Sequence, residues 1–411
     1  MPKLELLKKY AQLVVEVGAN VQKNQVLVVN SSTETRVLAR LIVEAGYNAG
    51  AKSVHVIWQD DYVSRSNLEG KSIETLEIVP EWTIDRAKYF IENDACIISI
   101  SSPVPGLNKG INPLKMQKAG LAQMRAYKFI QDHMMANRTQ WSIVAAPNPD
   151  WAKQVYPNLE ENEAVEALWN AILMASRVTD SNNAIEEWET HNGNLLSHNE
   201  VLTNLQFESL HFKNSLGTDL TIKLVENHIW SGGETISTKG VKFNPNIPTE
   251  ENFTMPYKYG VNGRVVSTKP LNYQGNLIEG FWLEFKDGKV INYFAEKQMD
   301  TLKNLLELDE GSSFLGEVAL ISYDSPINNT GILFYNTLFD ENASCHLALG
   351  RAYPKNIVGG VEMSRDELSK NGCNQSMVHS DFMFGSKDMH IVGTKKDGTK
   401  ITIFTDGDYV I

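Results

Sequence analysis

Gln25-Val-Leu-Val-Val-Asn-Ser-Ser-Thr-Glu-Thr35 is a short apolar run of strand character that breaks into a helix-start signature. Beyond it, Val37, Leu38, Leu41, Ile42 and Ala45 recur at helical spacing, and before it so do Leu6, Leu7, Tyr10, Leu13, Val14 and Val17, with Gly18 where a helix would stop. Further strands are expected at Lys52–Trp58, Asp94–Ile100 and Trp141–Ala146, with helical stretches between them. Strands alternating with helices at this spacing pair in parallel, so the amino-terminal part reads as a Rossmann-like α/β layer domain. A nucleotide binder of that topology carries G-x-G-x-x-G after its first strand. Here that place is held by Asn30-Ser-Ser-Thr-Glu-Thr35, and Gly106, Gly110 and Gly120 are not arranged to cradle phosphate, so the layer reads as a scaffold.

The remaining chain changes texture. Residues 158–199 are helical in pattern, and from there three pairs of apolar runs flank turn residues: Phe207–Phe212 with Asp219–Leu224, Trp282–Phe285 with Val290–Phe294, and Met389–Thr394 with Lys400–Phe404. A boundary near residue 200 is expected, with an α/β scaffold domain at 1–200 and a β-rich α+β domain, carrying the candidate metal ligands, at 201–411. The length of 411 residues suits two domains, and 42% hydrophobic with 21% charged residues suits a globular protein. A net charge of −12 argues against nucleic acid or an anionic membrane surface as partner. Three cysteines without CxxC spacing, and no apolar run long enough for a bilayer, point to a reducing cytoplasm.

The chemistry concentrates in the second half. Between Glu341 and Tyr353 a carboxylate, an imidazole (His346) and a phenol stand among small and apolar residues, and Glu341 and His346, five apart, can aim at one point only if the backbone bends between them. In Val378–Gly385 the alternation places His379, Asp381 and Met383 on one strand face and Val378, Phe382 and Phe384 on the other. Glu317 is the one charge in the apolar run Phe314–Ile321, where an ionised carboxylate is costly unless paired or coordinated. Glu250 and Glu251 lie side by side in a loop. Singly, each has an ordinary explanation, a hydrogen-bonded core imidazole or a solvated loop carboxylate. Together they are the hard and borderline donors of a hydrolytic divalent-metal site.

Neither His-Glu-x-x-His nor G-x-S-x-G occurs, and the other seven histidines have no partner spacing, so they read as surface or core. Two alternatives remain: a metal-independent thiol amidohydrolase using Cys345, and a non-catalytic binding protein stabilised by metal.

The strings Asn246–Thr254, Gly316–Leu320, Asn336–Gly350 with Tyr353, and Asn374-Gln-Ser with His379–Gly385 closely resemble the thermophilic aminopeptidase family, the metallopeptidases that include aminopeptidases T and S. The resemblance runs from the first helix to the last strand. It implies a metallo-aminopeptidase with two divalent ions per chain (cobalt, zinc or magnesium), acting on peptides with a free amino terminus and pairing as a homodimer. By motif matching, Glu251, Glu317, Glu341, His346, Tyr353, His379 and Asp381 fall on the ligand positions. Glu250 is then the expected general base or amine anchor. One departure is Asn252, where an apolar residue is usual.

Overall fold

A computed structural model describes residues 2–273 and 275–411. It is a mixed α/β structure in two compact units, Met1–Glu189 with Glu234–Pro248, and Thr190–Gly233 with Thr249–Ile411. In the first unit, strands β1 (Val26–Ser32), β2 (Ser53–Gln59), β3 (Cys96–Ser101) and β4 (Trp141–Ala145) form a parallel sheet in the order β2-β1-β3-β4. Val26 to Val29 are all buried, as a central parallel strand covered on both faces requires. Ser32 caps the turn that follows by accepting from Glu34 N, and helix Arg36–Asn48 then buries Leu38, Ala39, Leu41 and Ile42. The first helix is α-helical only over Leu4–Leu13. Val14–Gly18 continue as a wider π turn, so the expected helix keeps its stop but not its uniform pitch.

The second unit is largely antiparallel. Its eight-stranded sheet runs, edge to edge, Lys289–Phe294, Trp282–Lys286, Pro256–Val266, Asp219–Leu224, Ser209–Lys213, His390–Thr394, Lys400–Thr405, Asp408–Tyr409. All three expected hairpins are present in it. The Asp287-Gly288 turn has φ of 49° and 83°, the pair of positive values that matches hairpin twist.

A second sheet of four strands positions the candidate site: β5 (Asn252–Thr254), β6 (Leu315–Leu320), β7 (His346–Gly350) and β8 (His379–Met383), in the order β8-β7-β6-β5. Its register pairs Glu317 with Ala348 and Ala348 with Asp381, while Ala319 faces His346 and His346 faces Met383. Residues directly opposite share a face, so Glu317, His346, His379 and Asp381 all project to one side. On the other side Val318, Leu320, Leu347, Leu349 and Phe382 enter the main apolar core. Each such burial stabilises by about 1.5–3 kcal/mol, which anchors a sheet whose opposite face is charged. Among the described residues no helix is long and apolar enough to cross a membrane.

Candidate metal centre

Glu341 sits in a 3-10 turn, Glu341–Ala343, and His346 opens β7 after an extended Ser344. The expected bend between them is therefore a turn running into a strand rather than a loop throughout. Glu317 lies mid-strand beside a register shift in β6. Its neighbour Gly316 is held against the next strand: a Cβ there would meet the carbonyl oxygens of Gly350 and Arg351 at 2.4 Å. Only glycine lets the backbones approach this closely.

Glu317 is 4% exposed, and its two oxygens face different partners. Oε1 is 3.2 Å from His346 Nε2, and Oε2 is 3.7 Å from His379 Nε2. Glu251 Oε2 lies 3.5 Å from His346 Nε2, and Asp381 Oδ1 lies 3.3 Å from His379 Nε2. Two donor groups result, Glu251–Glu317–His346 and Glu317–His379–Asp381, each within 4.8 Å, with Glu317 in both. Glu341 and Tyr353 border them. Glu341 is close enough to Asp381, Glu251 and Glu317 to feel their charge, and the Tyr353 ring packs 4.6 Å from that of His379. Glu250 is turned elsewhere: its Oε2 is 3.7 Å from His191 Nε2, which also contacts the Thr249 carbonyl at 2.7 Å. Because a carbonyl only accepts, that nitrogen carries a proton.

Protonation follows from crowding. Burial, then Glu317, pushes the Glu251 carboxyl up to about 7, and burial with Asp381, Glu251 and Glu317 raises Glu341 well above the carboxylate range. Burial alone would depress the imidazoles, but the surrounding carboxylates raise His346 and His379 each to about 9. Asp381 is lowered: burial opposes this, and His379 outweighs it. Burial and the Glu317, Asp381 and Glu341 charges push the Tyr353 phenol far above its ordinary value.

This donor set fits divalent cations on two observations. Asp381 Oδ1 is buried without a well-aligned hydrogen bond, His379 Nε2 lying 3.3 Å away, although a carboxylate oxygen in such a place needs a donor or a cation. His379 Nδ1 lies 2.7 Å from the Arg351 carbonyl, so it must donate, and Nε2, facing Glu317 and Asp381, is the nitrogen whose proton an ion would displace to take up its lone pair. The thiol reading has no such support. Cys345 is 1% exposed, contacts Ile321 O at 3.4 Å from within the apolar core, and is pushed up to about 12 by burial.

Sequence reasoning passed over His191 and Lys355. His191 is 58 residues upstream of the Thr249 carbonyl it binds, and Lys355, placed in a turn, resembles any surface lysine. Asn252 proves to be a buried anchor. Its Nδ2 donates to Leu195 O at 2.8 Å and to Asn199 Oδ1 at 2.7 Å, and its Oδ1 accepts from Tyr409 Oη at 2.9 Å.

A family model described as thermophilic metalloprotease (M29) matches residues 3–409 of this chain. Aminopeptidase AmpS of Bacillus subtilis is 47% identical over 98% of this chain and 98% of its own length, and aminopeptidase 2 of Geobacillus stearothermophilus is 43% identical over 98% and 97%. The structure of wild-type AmpT from Thermus thermophilus shares the fold with a TM-score of 0.92 at 38% identity, covering 99% of each chain.

Proposed function

We propose a mechanism from one premise: this chain belongs to the thermophilic metalloprotease (M29) family and is a metal-dependent aminopeptidase. Glu251, Glu317 and His346 would hold one divalent ion, and Glu317, His379 and Asp381 a second, with Glu341 and Tyr353 completing the donor set. The observation that carries this reading is the division of Glu317, whose two oxygens face separate groups. The imidazoles suit cobalt or zinc, and the carboxylates alone would suit magnesium. When bound, such ions acidify water and polarise the scissile carbonyl.

The protein's own groups do the rest. Glu250, next to Glu251 in the chain and in neither donor group, is the uncoordinated carboxylate that, swung from His191 toward the substrate, would accept a proton from the attacking water and return it to the departing amine. His191 holds the Thr249 carbonyl and so sets the direction of Glu250. The same carboxylate could instead anchor the substrate's α-ammonium, and Glu250→Gln separates the two roles. A fall in kcat of about 10²–10⁴-fold with metal content intact identifies the base. A rise in KM alone identifies the anchor, and wild-type values of both remove Glu250 from the mechanism.

For the centre itself, Glu317→Gln and His346→Ala should lose metal and activity while keeping the far-ultraviolet circular dichroism of the parent. Hydrolysis of an amino-acid p-nitroanilide by either metal-free variant would overturn the assignment. A homodimer is the assembly we expect, and light scattering at working concentration reads it directly.

A further inference from the structure

Lys355 follows Tyr353 in a 3-10 turn, Pro354–Asn356. Solvent reaches the residue, yet its ammonium is drawn over two rings, 4.7 Å from the centroid of Phe253 and 5.9 Å from that of Tyr353. Phe253 lies in β5, two residues beyond Glu251, and pairs with Ala319 on the face that carries the donor cluster. The ammonium feels the charges of Glu251 and Glu317, but among the described residues it makes no hydrogen bond and no ion pair. Cation–π contact is a weak hold that leaves N–H donors unused.

Glu251, Glu317, Glu341 and Asp381 crowd the floor of the centre, where the proposed ions or the His346 and His379 protons offset their charge. Beside that floor the Lys355 ammonium, held only by ring faces, has donors to offer a carboxylate of a bound peptide. We infer that Lys355 binds a carboxylate of the substrate on the leaving-group side of the cleaved bond, and so biases the enzyme toward peptides that carry one there. The carboxylate is either the free carboxy terminus of a dipeptide or an acidic side chain on the second residue. The inference rests on the donor cluster being the active centre.

Four substrates separate the sources: Leu-Gly, Leu-Gly-amide, Leu-Glu-amide and Leu-Gln-amide. The ratio of kcat/KM for Leu-Gly over Leu-Gly-amide reads the terminus, and that for Leu-Glu-amide over Leu-Gln-amide reads the side chain. In Lys355→Met one of these ratios should fall about tenfold, chiefly through KM, the scale of one lost charge-assisted contact. Lys355→Arg should keep it and Lys355→Glu should invert it. Calorimetric binding of reduced-amide analogues of the same pairs gives the readout without turnover. Both ratios unchanged in Lys355→Met would overturn the inference. Retention of metal by Glu317→Gln would instead fault the centre, so the two failures are distinguishable.

Discussion

Asn252 carries more of the site than its neutral side chain suggests. It is fully buried one residue beyond Glu251, and three hydrogen bonds tie it to Leu195, Asn199 and Tyr409. Asn252→Val keeps the approximate volume but leaves the Asn199 amide oxygen without a donor and removes one bond each from the Leu195 carbonyl and the Tyr409 hydroxyl, which keeps Leu320 O at 3.3 Å. The cost should be about 1–3 kcal/mol, read as a lower urea midpoint at unchanged m-value, with metal affinity weakened through the displaced Glu251. The sequence marked this position as a departure but not its partners, which lie 53, 57 and 157 residues away. The same distance hid His191. Glu317 was legible because a charge inside an apolar strand announces itself. A histidine or lysine in polar surroundings does not.

At the scale of the strand, small residues make the room in which charged ones meet. Ala348 stands between Glu317 and Asp381 across three strands, and Ala319 opposes His346. Ala348→Leu would push four-carbon bulk between the two carboxylates while leaving the core face untouched. Metal content should fall severalfold with little loss of secondary structure, checked by elemental analysis beside circular dichroism. Gly316→Ala acts differently, because a methyl at 2.4 Å from two carbonyl oxygens must move backbone. It should destabilise by about 3 kcal/mol or more. The alternation in Val378–Gly385 made β8 readable, and the strand–helix rhythm of the first 150 residues made the parallel sheet readable. The return of Glu234–Pro248 to the first unit has no comparable signal, since strands of two residues, Thr235–Ile236 and Lys242–Phe243, show no period.

For the whole molecule, the proposed ligands span residues 251 to 381, so ion binding and folding would be linked. Without metal, His346 and His379 bind protons more tightly folded than unfolded, with values near 9 against 6.5. Their contribution to stability is complete below about pH 6.5 and is lost as pH rises through 9. Glu251, at about 7 against 4.5, has the same sign: its contribution fades between those values. Metal must displace these protons, so its affinity rises over the same window. The difference in melting temperature between metal-loaded and chelator-treated protein should therefore widen from pH 6 to pH 9. A gap that narrows toward alkaline pH would contradict the protonation states assigned to the centre.

The two-faced sheet also protects the chain from misassembly. Side chains alternate at every step, so sliding any of its central strands by one position would sink an imidazole or carboxylate into oil and turn a leucine or phenylalanine toward the acidic side. Each such slip forfeits apolar burial and strands a charge at once. The residues proposed to hold the ions thus proofread the pairing during folding, before any ion arrives to reward the correct arrangement.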